Sequence, residues 1–193
     1  MDANLPARSR ERVAAWLADL RERYEGFDRV EKRWELTPEA YERDRERIAA
    51  GANGGAGIWI TNDDGEVLLV RNEGDDGWAD PGGKREADES FEVAARREVR
   101  EETSVAASIT GVCEAHVLEL VDERDPDRPA LASLIVVFTG EYEGGHPRPR
   151  EGEIAAVDWF ASPPERPLYP EVAERPFPAE GATRHRSRGD SAR

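Results

Sequence analysis

One stretch, Gly83 to Val105 (GKREADESFEVAARREVREETSV), constrains this chain more than any other. It holds seven acidic residues, and Glu98, Glu101 and Glu102 crowd its far end. Phe91, Ala94, Ala95 and Val99 recur at the three- and four-residue spacing of a helix face. At about 100° per residue, the three glutamates fall on the same side as Phe91 and Ala94. A solvated helix turns its carboxylates away from its apolar stripe; here the two coincide. Anions on a core-facing surface need a cation, because unpaired buried charge is very costly. Carboxylate oxygens at helical spacing suit a hard divalent ion, Mg²⁺ best, with Mn²⁺ as a substitute.

The same residues resemble the Nudix box, G-x5-E-x7-R-E-U-x-E-E-x-G-U, where U is aliphatic. Gly83 and Glu89 match its first two positions; Arg97, Glu98, Val99, Glu101 and Glu102 match its core, and Val105 its end. Ser104 stands where the family has glycine, which leaves the helix exit without the residue that relaxes it. The preceding Trp78-Ala79-Asp80-Pro81-Gly82-Gly83-Lys84 is similar to the family's W-x-x-P-G-G-K lead-in, with Asp80 in a usually apolar position. The resemblance implies an α/β fold, a Nudix-like α/β/α sandwich with a mixed β-sheet, over residues 53–175. Residues 1–52 form an N-terminal helical extension and 176–193 a disordered tail in this reading.

The rest of the chain is consistent with that scale. Two runs, 9–24 and 39–50, read as amphipathic helices, the first capped by Ser9 and the second by Thr37 with Pro38 in its first turn. Val30 to Leu36 reads as a short strand between them. The extension carries no clustered ligands, so it is expected to pack on the main domain or on a second subunit, which leaves a homodimer open. Gly51 to Gly57 reads as a hinge. Strands follow at 58–61 and 66–72 around an Asn62-Asp63-Asp64-Gly65 hairpin turn. Longer strands are expected over 105–121 and 131–142, another over 154–160, and a short helix over 169–174.

Charge narrows the setting. Acidic residues outnumber basic ones 42 to 27, a net charge of −15, and only Lys32 and Lys84 are lysines. This balance disfavours a duplex nucleic-acid surface and suggests a cytoplasmic protein of an extreme halophile. Cys113 is alone, so no intrachain disulfide forms. The first twenty residues are too charged for a signal peptide, and the longest apolar run, Leu134 to Phe138, is too short to span a bilayer, so no membrane partner is expected.

The resemblance implies hydrolysis of a pyrophosphate bond in a nucleoside diphosphate-linked substrate. A diphosphate repels attacking water, and a bound Mg²⁺ offsets that charge. Glu98 and Glu102, one turn apart, can hold the same ion; Glu101 can hold a second ion or orient water. The family adds the backbone carbonyl of Gly83 as a metal ligand and pairs Arg97 with Glu89. A loop acid before the last strand, Glu153 or its competitor Glu151, is the other candidate base. Trp78 and Phe160 are candidates to stack on a base, and Arg71 to meet a phosphate. His116 reads as a half-buried structural histidine. Family substrate markers fail: Val121 occupies the proline position of ADP-ribose hydrolases, and Val121 to Glu123 lack the tyrosine of dinucleoside polyphosphate hydrolases. A nucleoside triphosphate or nucleotide sugar remains open. The competing readings are a nucleotide-binding regulator without catalysis and an isoprenoid-diphosphate isomerase, which needs a reactive cysteine that Cys113 lacks the motif to supply.

The acidic, lysine-poor surface predicts a melting temperature that climbs steeply with KCl, because salt screens its self-repulsion. A melting curve insensitive to KCl removes the halophile reading.

Overall fold

The computed structural model describes residues 4–178. Its elements run α1 (Leu5–Arg23), β1 (Asp28–Leu36), α2 (Pro38–Ala49), β2 (Gly55–Thr61), β3 (Val67–Asn72), β4 (Gly82–Lys84), α3 (Phe91–Thr103), β5 (Val105–Asp122), β6 (Leu131–Gly145), β7 (Ile154–Phe160) and α4 (Pro170–Glu174). Strand order in the seven-stranded sheet is β1-β5-β6-β2-β3-β7, with β4 paired to β2. The sheet is mixed: β1 runs parallel to β5, and β3 antiparallel to β7. The described residues thus form an α/β protein with a mixed sheet and four helices, as expected. No helix among the described residues is long and apolar enough to cross a membrane. Of the disordered tail expected over 176–193, Pro176 and Phe177 are instead placed, with Phe177 buried, and residues 179–193 lie outside the described residues.

The described chain divides into two compact units. One takes in residues 4–57, 83–95 and 111–138; the other takes in 58–82, 96–110 and 139–178.

In the first unit, α1 starts one turn earlier than the sequence suggested. Pro6 is tolerated in a first helical turn, and Leu5 is buried there with Val13, Leu17 and Leu20. Ser9 is therefore not the cap. Its hydroxyl donates to Pro6 O at 2.9 Å and accepts from Ala132 N at 3.0 Å. Thr37 does cap α2, its Oγ1 accepting from Ala40 N at 3.2 Å. Leu5, Tyr41, Ile48, Leu118, Leu120 and Leu131 close a core there. His116 is buried, with Nε2 2.7 Å from Glu114 Oε2, as a structural histidine should be. Of the glycines read as a hinge, Gly54 and Gly55 are packed against backbone. Gly54 sits at φ +93°, and a Cβ on Gly55 would lie 2.8 Å from Gly83 O. They let one backbone press against another rather than bend.

In the second unit, Asn62 Oδ1 accepts from Asp64 N (3.1 Å) and Glu66 N (2.9 Å), which closes the turn that joins β2 to β3. Val67, Leu68, Leu69 and Val70 are all buried, and β3 pairs with β7 from Val67↔Phe160 onward. The C-terminal segment docks through Trp59, whose Nε1 donates to Pro176 O at 3.1 Å and whose ring meets Phe177 edge-on at 5.2 Å.

Asp80, in its usually apolar position, is the other anchor. Its Oδ1 accepts from Arg175 Nη1 and from Tyr169 OH, both at 2.5 Å. The Arg175 guanidinium also lies 5.1 Å from the Trp59 ring. The Asp80 and Arg175 side chains are only 5% and 1% exposed. Removing one member of such a pair strands a buried charge. Arg175→Met is expected to cost ~3–5 kcal/mol in urea denaturation. Adding Asp80→Leu to it should recover most of that loss; no recovery would remove the ion pair as the cause.

Candidate active site

Ser90 precedes helix α3, and its Oγ accepts from Val93 N at 3.2 Å. Phe91, Ala94, Ala95 and Val99 are buried along its apolar stripe. Two of the three glutamates lie on that side: Glu98 is 9% exposed and Glu102 5%. Glu101 departs from the expectation and is exposed. Its helical angle places it at the margin of the stripe, where water reaches it. At the helix exit, Ser104 adopts φ +61°, the left-handed conformation that glycine occupies without penalty.

The turn before α3 is built by a residue that periodicity gave no reason to single out. Arg85 is buried, and its Nε, Nη1 and Nη2 donate to the carbonyls of Asn53 (2.8 Å), Glu89 (2.7 Å) and Gly51 (2.6 Å). Its guanidinium lies 4.9 Å from the Trp16 ring. The Glu89 carboxylate accepts from Glu86 N at 2.9 Å and so closes the same turn.

The Trp78–Gly82 loop is tied down at several points. Ala79 exchanges both backbone hydrogen bonds with Val70 (2.8 and 2.9 Å), Pro81 O accepts from Ile58 N (3.1 Å), and Asp80 is held as described. The loop ends by presenting Gly82 N–H to Glu102 Oε2 at 2.9 Å. Gly83 follows directly, in β4.

The loop after β6 is stitched to the C-terminal end of α3. Arg148 N donates to Thr103 O (2.9 Å) and Arg150 N to Glu102 O (3.0 Å), which satisfies carbonyls a helix end leaves open. This carries Arg150 and Glu153 to the carboxylates: Arg150 Nη1 lies 3.2 Å from Glu101 and 3.0 Å from Glu153. Arg97 Nη1 donates to Glu98 Oε1 at 2.8 Å and lies 3.7 Å from Glu101. Glu98, Glu101, Glu102, Glu153 and Arg97 are therefore neighbours, with Arg150 as an unforeseen member. Glu151 is exposed in the same loop. Trp78 meets Phe160 edge-on at 4.8 Å, with the Arg71 guanidinium 5.9 Å from the Trp78 ring.

Burial dominates the electrostatics. It pushes the Glu102 carboxyl from 4.5 up to about 8, against the pull of Gly82 N–H and with the help of the Glu98, Glu153 and Asp80 charges. Burial also raises Glu98, opposed by its hydrogen bond to Arg97. The donor set is all hard oxygen and short of positive charge, which fits a divalent ion of the Mg²⁺ type. Among the described residues, no three acidic, histidine or cysteine side chains are drawn together closely enough to grip one. Arg97 and Arg150 instead hold Glu98, Glu101 and Glu153, so a metal would require those side chains to turn, while Glu102, already placed by the Gly82 amide, would have to release its proton.

A family model described as the NUDIX domain matches residues 52–174. A Bacillus subtilis (strain 168) protein named "Putative 8-oxo-dGTP diphosphatase" is 30% identical over 115 residues, which is 60% of this chain and 70% of that protein. A solved NUDIX hydrolase from Nitrosomonas europaea shares the fold at TM-score 0.51 and 19% identity, over 74% of this chain and 76% of the other. A MutT NUDIX hydrolase from Burkholderia pseudomallei aligns at TM-score 0.48 and 25% identity, over 63% and 92%.

The raised carboxyls fix a pH response. Between about pH 5 and pH 8 the native state retains a proton on Glu102 that the unfolded chain has released, so stability falls as pH rises through that window. Without divalent ions, the melting temperature is expected to drop across it, Glu102 contributing at most about 1.4 kcal/mol per pH unit. Glu102→Gln should flatten the slope, and an unchanged slope would assign it to other groups.

Proposed function

The chain belongs to the NUDIX family, whose members are pyrophosphohydrolases, and from that premise we propose that it uses Mg²⁺, or Mn²⁺ in its place, to cleave a nucleoside diphosphate-linked substrate. The observation that carries this reading is the pair of buried carboxylates, Glu98 and Glu102, one turn apart beside the exposed pair Glu101 and Glu153. Glu98 and Glu102 would hold the metal, with the Gly83 carbonyl as an added oxygen, and Glu101 would hold a second ion or orient water. When bound, the ion neutralises phosphate charge and lowers the pKa of its water.

The chain's own residues do the rest. Gly82 N–H fixes one oxygen of Glu102, so that carboxylate is oriented before any ion arrives. Glu153 or Glu101 accepts the proton of the attacking water; both are exposed and able to exchange it with solvent. Arg97 and Arg150 balance those carboxylates in the absence of substrate. Phosphoryl transfer depends chiefly on such positioning and charge placement. The Bacillus subtilis relative supports a nucleoside triphosphate as substrate, while a nucleotide sugar remains the alternative. Trp78 and Phe160 offer half-buried aromatic surface for a base, with Arg71 beside them.

One observation favours the non-catalytic regulator: two arginines already pair with the carboxylates that should hold metal. Turnover separates the readings. In high KCl with Mg²⁺, a nucleotide panel is expected to yield a nucleoside monophosphate, together with pyrophosphate from a triphosphate or a sugar phosphate from a nucleotide sugar. Glu102→Gln should abolish metal-dependent turnover while unfolding stays cooperative, and Glu153→Gln should slow it by about 10²–10⁴-fold. Nucleotide binding without turnover in the wild type establishes the regulator. A near-wild-type rate in Glu153→Gln moves the base to Glu101.

A further inference from the structure

β1 is the last strand in the sheet order, and β5 is its only strand neighbour among the described residues. Parallel pairing with β5 engages the backbone groups of every second residue; the alternate residues turn theirs to the open edge. The strand is nine residues long and mostly exposed. It has no proline, and a long open edge of this kind is a template for another strand.

The side chains of β1 say which strand. Alternation places Arg29, Glu31, Arg33 and Glu35 on one face, and Asp28, Val30, Lys32, Trp34 and Leu36 on the other. Consider a second copy of β1 running antiparallel along the open edge, with the two-fold axis at Lys32. Arg29 then faces Glu35 of the second copy, Glu31 faces Arg33, and each pair occurs twice. One face becomes a checkerboard of alternating charge. On the other face Val30 meets Trp34, which is 42% exposed in the single chain.

No other long register does this. Outward-turned groups meet only when residues an even number apart face each other. Moving the axis to Glu31 sets Arg29 against Arg33 and Glu31 against itself. Moving it to Arg33 sets Glu31 against Glu35 and Arg33 against itself. Centred on Lys32, the sole like-charged pair is Lys32 with its own mate. Its long stem lets the two ammonium groups diverge, each towards the diagonal Trp34 ring.

We propose that the β1 edge is a homodimer interface, in which two copies of Asp28–Leu36 pair antiparallel about Lys32 and join their sheets. The present contacts of these side chains fit that role. Arg29 reaches Glu31 at 2.5 Å and Arg33 reaches Glu119 at 2.6 Å, all four being exposed enough to take a further partner. The interface does not depend on the catalytic reading.

Light scattering and sedimentation equilibrium, in dilute buffer and in molar KCl, test it. The wild type is expected at twice the 21.5 kDa chain mass in at least one of the two conditions. Arg33→Glu sets glutamate against glutamate across the axis, and Glu31→Arg sets arginine against arginine, so each variant alone is expected to be a monomer. An equimolar mixture restores both opposite-charge pairs and is expected to form the dimer, a result that loss of folding cannot produce. A monomeric wild type in both salts, a dimer unaffected by Arg33→Glu, or a mixture that stays monomeric overturns the proposal. In the first case the charges on β1 guard the edge rather than pair it.

Discussion

The Glu102 carboxylate is a costly group to bury. It is 5% exposed, and Glu98, Glu153 and Asp80 all add like charge to its surroundings. Withdrawing an ionised carboxylate from water costs several kcal/mol unless something answers it. One backbone N–H, from Gly82, answers part. The remainder is left to a proton or to a cation from outside. That demand gives the neighbouring structure its purpose. The Trp78–Gly82 loop is pinned to β2, to β3 and to Arg175, because a wandering amide could not hold a carboxylate in one rotamer. The loop after β6 is hydrogen-bonded to the last carbonyls of α3 for a parallel reason, since it delivers Glu153.

Asp80 shows how a local departure can be absorbed. An apolar residue in its place would bury without cost. The aspartate instead requires Arg175 and Tyr169, and burial beside it pushes the Tyr169 phenol well up. Such a pair adds little net stability over a hydrophobic contact, but its geometry is exacting. It allows the α4 region one docking position against the loop that carries Gly82. The ion pair therefore links the end of the described chain to the orientation of a metal-ligand candidate.

What was legible in the sequence was local. Thr37-Pro38 announced α2, the apolar run at Val67 to Val70 announced β3, and the three-four spacing of Phe91, Ala94, Ala95 and Val99 gave α3 its buried face. Each of those signals is read within a few residues. The roles of Gly54 and Gly55 are not legible because glycine serves both flexibility and close approach, and only the positions of the Leu134 and Gly83 carbonyls tell which. Nothing local tells that β1 lies parallel to β5, since its partner is some eighty residues away and strand register is a long-range property. Arg150 was invisible for a related reason. It sits in a loop without periodicity, and its importance comes from two backbone hydrogen bonds to the end of α3. Ser104 departs from the glycine of the resemblance yet adopts the left-handed backbone such a glycine would take, and beside it a Cβ on Gly145 would fall 2.4 Å from Ser104 O.

The acidity of the chain and the chemistry of its site pull in opposite directions, and screening decides between them. A substrate carrying phosphates approaches a protein of net charge −15, which in dilute buffer repels it from every side. At 1 M salt the Debye length is roughly 3 Å. Charges scattered over the surface then fall silent beyond their immediate surroundings. Contacts made at 2.8 to 3.2 Å, such as Arg97 with Glu98 and Arg150 with Glu101, are comparable to that length and lose far less than charges set farther apart, the more buried Arg97–Glu98 pair least of all. In such a medium an anion arriving at α3 senses the nearby guanidiniums and whatever cation the carboxylates hold, and very little else. A strongly acidic shell and a site for anionic substrates are compatible on that condition, and salt supplies it.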